Sequence, residues 1–167
     1  MAALPAALDP RAPLIAWRLD MKVHAGAWDS GVGAEKVGGR WNSRGTRVVY
    51  GSLDPTTCLL EAVVHKGFDA LERVPHVFTR FRVLEPGAVG IVQAVPNPAW
   101  LRPGLVGTGQ QRFGDTELSR SPFVLFPSVV SRWSWNLVFR PDLAKGGYAE
   151  VLQQDLCLDG RLNSPRA

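Results

Sequence analysis

Cysteine is scarce in this chain, with Cys58 and Cys157 the only two among 167 residues. No CxxC spacing occurs, which argues against a secreted disulfide scaffold and a thiolate metal site; no metal is expected. Both cysteines sit among apolar neighbours, where a free thiol behaves as a small hydrophobe, so two buried free thiols are expected. No uninterrupted apolar run approaches the roughly 18 residues that a membrane span requires. Blocks of about five or six like charges are also missing, and with them a basic tail for nucleic acid. No GxGxxG joins a strand to a helix, which removes a dinucleotide-binding Rossmann unit. A nucleophile elbow is absent, and none of His24, His65 and His76 has an assignable acidic partner, so a serine hydrolase is not expected around Ser128. There is no internal repeat.

Prolines and glycines are plentiful instead, 13 and 17 of them, beside six tryptophans. Scattered prolines break long helices and favour many short elements. The length suits one domain. A net charge of +4 suits an anionic partner without naming it. The dispersed basic residues are densest at Arg40, Arg44 and Arg47. The opening "MAALPAALDPRAPL" lacks a basic leader and is cut by Pro5, Pro10 and Pro13, so it does not read as a signal peptide. Residues 1–13 are expected as a flexible arm, and a cytoplasmic location is the default.

From Leu14 onward the pattern predicts an α+β single domain. "LIAWRLD", "TRVVYGS", "HVFTRFRVL", "GIVQAV", "FVLFPSVV" and "WNLVFRP" read as strands, and "VLQQDLCLDGRL" as one or two final elements. Residues 26–39, rich in glycine, read as a loop or short irregular helix over a cleft. Asp54-Pro55 starts a helix, with Asp54 as N-cap and Pro55 in the first turn, ending near Lys66 with Gly67 beyond. Residues 96–114 read as a long loop with one turn near Trp100, and Asp115 as the N-cap of a short helix.

Helical spacing puts Cys58, Leu59, Ala62 and Val63 on one face and Thr57, Glu61 and His65 on the flank. Taken alone, Glu61 reads as an ordinary solvated glutamate. Arg40 follows two glycines that let backbone approach a ligand, and its planar fork of donors suits a phosphate or pyrophosphate. A surface arginine stacked on Trp41 fits the same residues. Tyr50 ends a strand, and a core aromatic is its plainer reading.

The order "WR" at Trp17-Arg18, "GGRWN" at Gly38–Asn42, "GTRVVY" at Gly45–Tyr50, "LLE" at Leu59–Glu61, "GD" at Gly114-Asp115, "PSVV" at Pro127–Val130 and "NLVFRP" at Asn136–Pro141 resembles the RES-domain family. That family is named for an arginine, a glutamate and a serine, which map to Arg40, Glu61 and Ser128. The resemblance implies a RES domain over 14–167 with a split, mixed β-sheet like that of the ADP-ribosyltransferase toxins. It further implies a type II toxin that consumes NAD⁺ as substrate, by hydrolysis or phosphorolysis or by ADP-ribosylating a host protein, and that needs no cofactor. A cognate Xre-like antitoxin would occlude the active site. The implied catalytic set is Arg40, Tyr50, Glu61 and Ser128, and the NAD⁺-binding set is Arg18, Arg40, Tyr50, Ser128 and Asn136. The segment "SRWSWNLVFRPDLAKG" departs from the commoner family pattern. An alternative from another class is a basic nucleic-acid-binding module, which requires Trp28, Trp41, Trp133 and Trp135 exposed together as stacking platforms.

Overall fold

The computed structural model describes residues 12–104 and 106–163, so all but the last two residues of the expected arm lie outside the described residues. Seven strands form one mixed sheet: β1 (Leu14–Met21), β2 (Val49–Ser52), β3 (His76–Val83), β4 (Gly90–Ile91), β5 (Phe123–Pro127), β6 (Trp135–Phe139) and β7 (Tyr148–Asp155). Their order is β4-β5-β6-β2-β1-β3-β7, with β4 and β5 parallel and the remaining neighbours antiparallel. The α+β single-domain expectation holds.

Strand alternation sends side chains to two faces. Leu14, Ala16, Val49, Phe81, Phe123, Leu125, Leu137 and Phe139 fill one face together with Trp28 and Tyr148. Rings there meet mostly at tilted or edge-on angles, such as Trp28 on Phe81 at 4.9 Å. The short helix expected within residues 26–39 is α1 (Val32–Val37), ahead of β2 in the chain. The opposite face is covered in two patches. Helix α4 (Thr108–Arg120) brings Leu118 and Phe113 onto Val124, Phe126 and Val138. Helices α2 (Pro55–Lys66) and α3 (Phe68–Arg73) bring Cys58 and Leu71 onto Leu19, Trp17 and Phe78. The polar ground between these patches becomes the site.

β1 runs against β3 over eight residue pairs but meets β2 at only one, Trp17 with Ser52. The sheet is therefore seamed between a β4-β5-β6-β2 leaf and a β1-β3-β7 leaf.

Helix α2 begins as its sequence dictates. Asp54 accepts the Thr57 amide at 2.7 Å, Pro55 occupies the first turn, and Gly67 ends the helix at φ 79°. The Ser134 hydroxyl bonds the second Asp54 oxygen at 2.5 Å. Burial tends to raise the Asp54 pKa, but the Ser134 hydroxyl and the Thr57 amide outweigh it and hold the carboxyl below its ordinary value. The cap thus stabilises the fold above the unfolded pKa of about 3.9 and loses that contribution as pH falls through the lower folded value. Asp54→Ala is expected to cost about 1 kcal/mol at neutral pH. In denaturant titrations this difference should shrink below about pH 4.

Five expectations need correction. The loop predicted over 96–114 ends earlier, because α4 starts at Thr108, and Asp115 lies mid-helix rather than at an N-cap. Gly109 and Gly114 hid this helix, and Gly114 is there for packing. A Cβ at Gly114 would lie 2.1 Å from the Trp41 carbonyl oxygen. Gly114→Ala should therefore lower stability by about 1–3 kcal/mol or prevent folding, measured by thermal unfolding.

The strand expected from "GIVQAV" shrinks to Gly90–Ile91, and the unexpected α3 follows α2 directly. Cys157 is exposed although Cys58 is buried. Trp28, Trp41 and Trp135 are at most 7% exposed while Trp133 is 85% exposed, so the stacking surface required by the nucleic-acid alternative does not form. The aromatic rings went to the core, where their area stabilises most.

Candidate active site

The resemblance places its functional residues far apart in sequence, and the fold brings three of them into direct contact. Glu61, in the middle of α2, receives two hydrogen bonds on one oxygen. Ser128 Oγ donates to Glu61 Oε1 at 3.0 Å, and Asn136 Nδ2 donates to the same atom at 2.5 Å. Ser128 immediately follows β5, where the strand ends after Pro127 and the chain turns. The Ser131 amide donates to Ser128 Oγ at 3.1 Å, which leaves the hydroxyl proton for Glu61. Asn136 lies on β6, directly across from Phe126 of β5 and Ser52 of β2. Ser128 is 4% exposed and Asn136 8%, so both donors are preset in a largely dry position.

Arg40 is placed by a separate piece of scaffolding. The turn Gly38–Asn42 is held to the sheet by Tyr50, whose hydroxyl accepts the Trp41 amide at 3.0 Å and donates to Asn42 Oδ1 at 2.7 Å. Asn42, fully buried, spends its own amide on the carbonyls of Ala34, Ser43 and Thr46. Gly39 must lack a side chain here, because a Cβ would stand 2.6 Å from the Tyr50 hydroxyl and 2.7 Å from Asn42 Oδ1. The paired glycines before Arg40 thus let the turn lie directly on Tyr50. Gln111 from α4 donates to the Gly39 carbonyl at 3.0 Å and anchors the turn from the other side.

The Arg40 guanidinium is half-buried and donates to the Trp100 carbonyl at 3.2 Å. Burial pulls its pKa below the usual value, while the negative charge of Glu61 works in the opposite direction. Burial also pushes the Tyr50 phenol well above its usual range, with the Trp41 amide opposing. The phenol is therefore neutral and its proton is already committed to Asn42. It buttresses the arginine turn.

These elements border a cleft of about 690 Å³. Arg40, Gly39 and Gln111 line one part of it; Leu60, Val63 and Val64 of α2 and Val129 and Val130 after β5 supply an apolar wall. Glu61 adjoins that wall in sequence and through its bond to Ser128. The arrangement joins one carboxyl group, one guanidinium and an apolar surface on which a flat ring could lie.

Arg18 stands apart from this constellation. Its guanidinium pairs with Asp20 at 2.5 Å and donates to the Tyr50 carbonyl at 3.0 Å, beside the seam between β1 and β2. Burial raises the Asp20 pKa, but the charge of Arg18 and the Met21 amide outweigh it and leave a net lowering. The arginine charge is thereby met within the protein. Ser52, Asn42 and Gln111 also shape the site but were not singled out as site residues from sequence. Asn42 and Ser52 do fall inside the quoted stretches "GGRWN" and "TRVVYGS", so position was a signal, but the partners of each were invisible. Among the described residues, no group of three or more His, Cys, Asp or Glu side chains could hold a metal ion.

Comparison with known proteins identifies the family and the fold. The model of the RES domain matches residues 15–159. A protein named Toxin Res from Pseudomonas putida is 30% identical over 151 residues, covering 89% of this chain and 99% of the relative. Another Toxin Res, from Photorhabdus laumondii, is 27% identical over 158 residues, covering 89% and 97%. Among solved structures, a chain from the crystal structure of the M. tuberculosis MbcT–MbcA toxin–antitoxin complex superposes with a TM-score of 0.68 at 17% identity, over 87% of this chain and 85% of that one. With the family model spanning residues 15–159, the chain belongs to the RES-domain family.

Proposed function

We propose that this chain is the toxin of a toxin–antitoxin pair and an enzyme that cleaves the nicotinamide–ribose bond of NAD⁺. The observation that carries the reading is Glu61: one carboxylate oxygen is fixed by Ser128 and Asn136, and among the described residues no donor meets the other, next along α2 to the apolar wall of a cleft lined by Arg40. The names of the relatives and the toxin–antitoxin complex support the biological half of the proposal.

Loss of nicotinamide leaves positive charge spread over the ribose ring, an oxocarbenium-like state. Glu61 Oε2 would stabilise that charge or accept a ribose hydroxyl, and its fixed partner oxygen means that little reorganisation is needed as the charge develops. No general acid is required, because nicotinamide departs from a cationic ring as a neutral molecule. Arg40 would hold the pyrophosphate, and the valine and leucine wall would receive a flat ring. Ser128 acts here by orienting Glu61, since its proton is aimed at the carboxylate. Tyr50 acts by holding the Arg40 turn. Arg18, paired with Asp20, would reach the dinucleotide only by giving up that ion pair.

NAD⁺ is thus a consumed substrate, drawn from the cytoplasm, and no resident cofactor enters the scheme. An Xre-like antitoxin would silence the enzyme by covering the cleft. The test is NAD⁺ loss and nicotinamide release by the purified chain, with and without phosphate. Nicotinamide release that needs phosphate identifies phosphorolysis, and release without it identifies hydrolysis. Intact NAD⁺ in both cases, with label from NAD⁺ appearing on a host protein, would replace this reading with mono-ADP-ribosylation.

A further inference from the structure

Asn136 has an amide with two unlike ends, and the site needs one particular end forward. An ionised carboxylate only accepts hydrogen bonds, so the Nδ2 end must face Glu61 and the Oδ1 end must face away. Oδ1 then needs a donor in a position that water barely reaches. Ser52 supplies it: its hydroxyl donates to Asn136 Oδ1 at 2.7 Å, and Ser52 is 2% exposed. The strand register makes this pairing direct, because Ser52 of β2 lies opposite Asn136 of β6.

We infer that Ser52 is a positioning residue for the proposed reaction, holding the Asn136 amide in the one orientation that fixes Glu61. The inference rests on reading Glu61 as the catalytic carboxylate. Ser52 has one proton, and it is spent on Asn136. Without that hydroxyl, the present amide orientation leaves Oδ1 buried and unpaired. The flipped orientation sets Oδ1 against the Glu61 carboxylate, acceptor against acceptor. Both alternatives are penalised, so the carboxylate loses a fixed donor. Ser52 bonds the far end of the amide and acts on Glu61 only through Asn136, so its loss should alter turnover more than substrate binding.

The test compares Ser52→Ala and Ser52→Thr in the full chain. Ser52→Ala is expected to lower kcat about tenfold with KM unchanged, the size of one well-placed hydrogen bond, and Ser52→Thr to restore most of it. A merely structural serine would lower the melting temperature and leave kcat per folded molecule unchanged, which overturns the inference. A second readout needs no turnover. The side-chain ¹⁵N–¹H pair of Asn136, assigned by its disappearance in Asn136→Asp, should be protected from exchange in wild type and in Ser52→Thr. In Ser52→Ala it should move to the shift and exchange rate of a free asparagine; an unchanged pair overturns the inference. If wild type leaves NAD⁺ intact, the proposed reaction fails, and the amide signals still decide whether Ser52 orients Asn136. Should Ser52→Ala not fold, Ser52→Cys, close in size but a poor donor, carries the same expectations.

Discussion

Glu61→Gln should fold normally and lose NAD⁺ cleavage by about a thousandfold, a loss of roughly 4 kcal/mol of transition-state stabilisation. The glutamine carbonyl can accept the same two bonds from Ser128 and Asn136 that Glu61 Oε1 accepts now. What it cannot supply is negative charge at the second position, where the proposed reaction would make the ribose cationic. Nicotinamide release by the variant, followed beside its thermal unfolding curve, separates the two effects. A variant as active as wild type would remove Glu61 from the chemistry. A variant that unfolds would show instead that the carboxylate is needed for the fold. Glu61→Asp is a sharper control, because it keeps the charge but withdraws it by one methylene from both donors.

Arg40→Ala should lower kcat/KM about a hundredfold, mostly through a raised KM, if the proposed charge-assisted contact to the pyrophosphate is removed. The guanidinium makes one hydrogen bond to the Trp100 carbonyl, and no salt bridge to it is recorded among the described residues. Its charge is therefore available to a ligand in a way that the Arg18 charge, paired with Asp20, is not. Arg40→Lys should recover only part of the loss, since a point charge cannot reproduce two parallel bonds to one phosphate. An unchanged KM in Arg40→Ala would move the pyrophosphate site elsewhere, with Arg18 the next residue to change.

The parts of this molecule that were legible in sequence are those in which local chemistry and tertiary context agree. Helix α2 is legible from Asp54-Pro55 to Gly67 because its cap, first turn and end each carry their own signal. Strand β3 alternates because Val77, Thr79, Phe81 and Val83 are buried while Phe78, Arg80 and Arg82 between them are less so. Helix α4 was read as starting too late because its polar, glycine-containing sequence lacks a strong apolar stripe; its position is secured by contact between Gly114 and the Trp41 backbone, a long-range fact. The same holds within the site. Glu61, Ser128 and Asn136 came from a motif order, whereas Ser52 depends on the β2-to-β6 register, which only the assembled sheet reveals. Tyr50 shows the same dependence: motif order put it in the implied catalytic set, but only the fold shows its hydroxyl bonded to the turn that carries Arg40.

The seam in the sheet gives these bonds a mechanical meaning. Helix α2 packs on Trp17 and Leu19 of β1 and Phe78 of β3, on one side of the single Trp17–Ser52 pairing, while Asn136 lies on β6 and Ser128 just after β5, on the other side. Glu61 is pinned across that line, while Asp54, just after β2, is held by Ser134 on the β2–β6 side of it. Any shear of one leaf against the other stretches the Glu61 ties first. The carboxylate proposed to break the substrate bond is therefore also a rivet between two plates, so a force that loosens the sheet would disarm the site before it unfolded the protein.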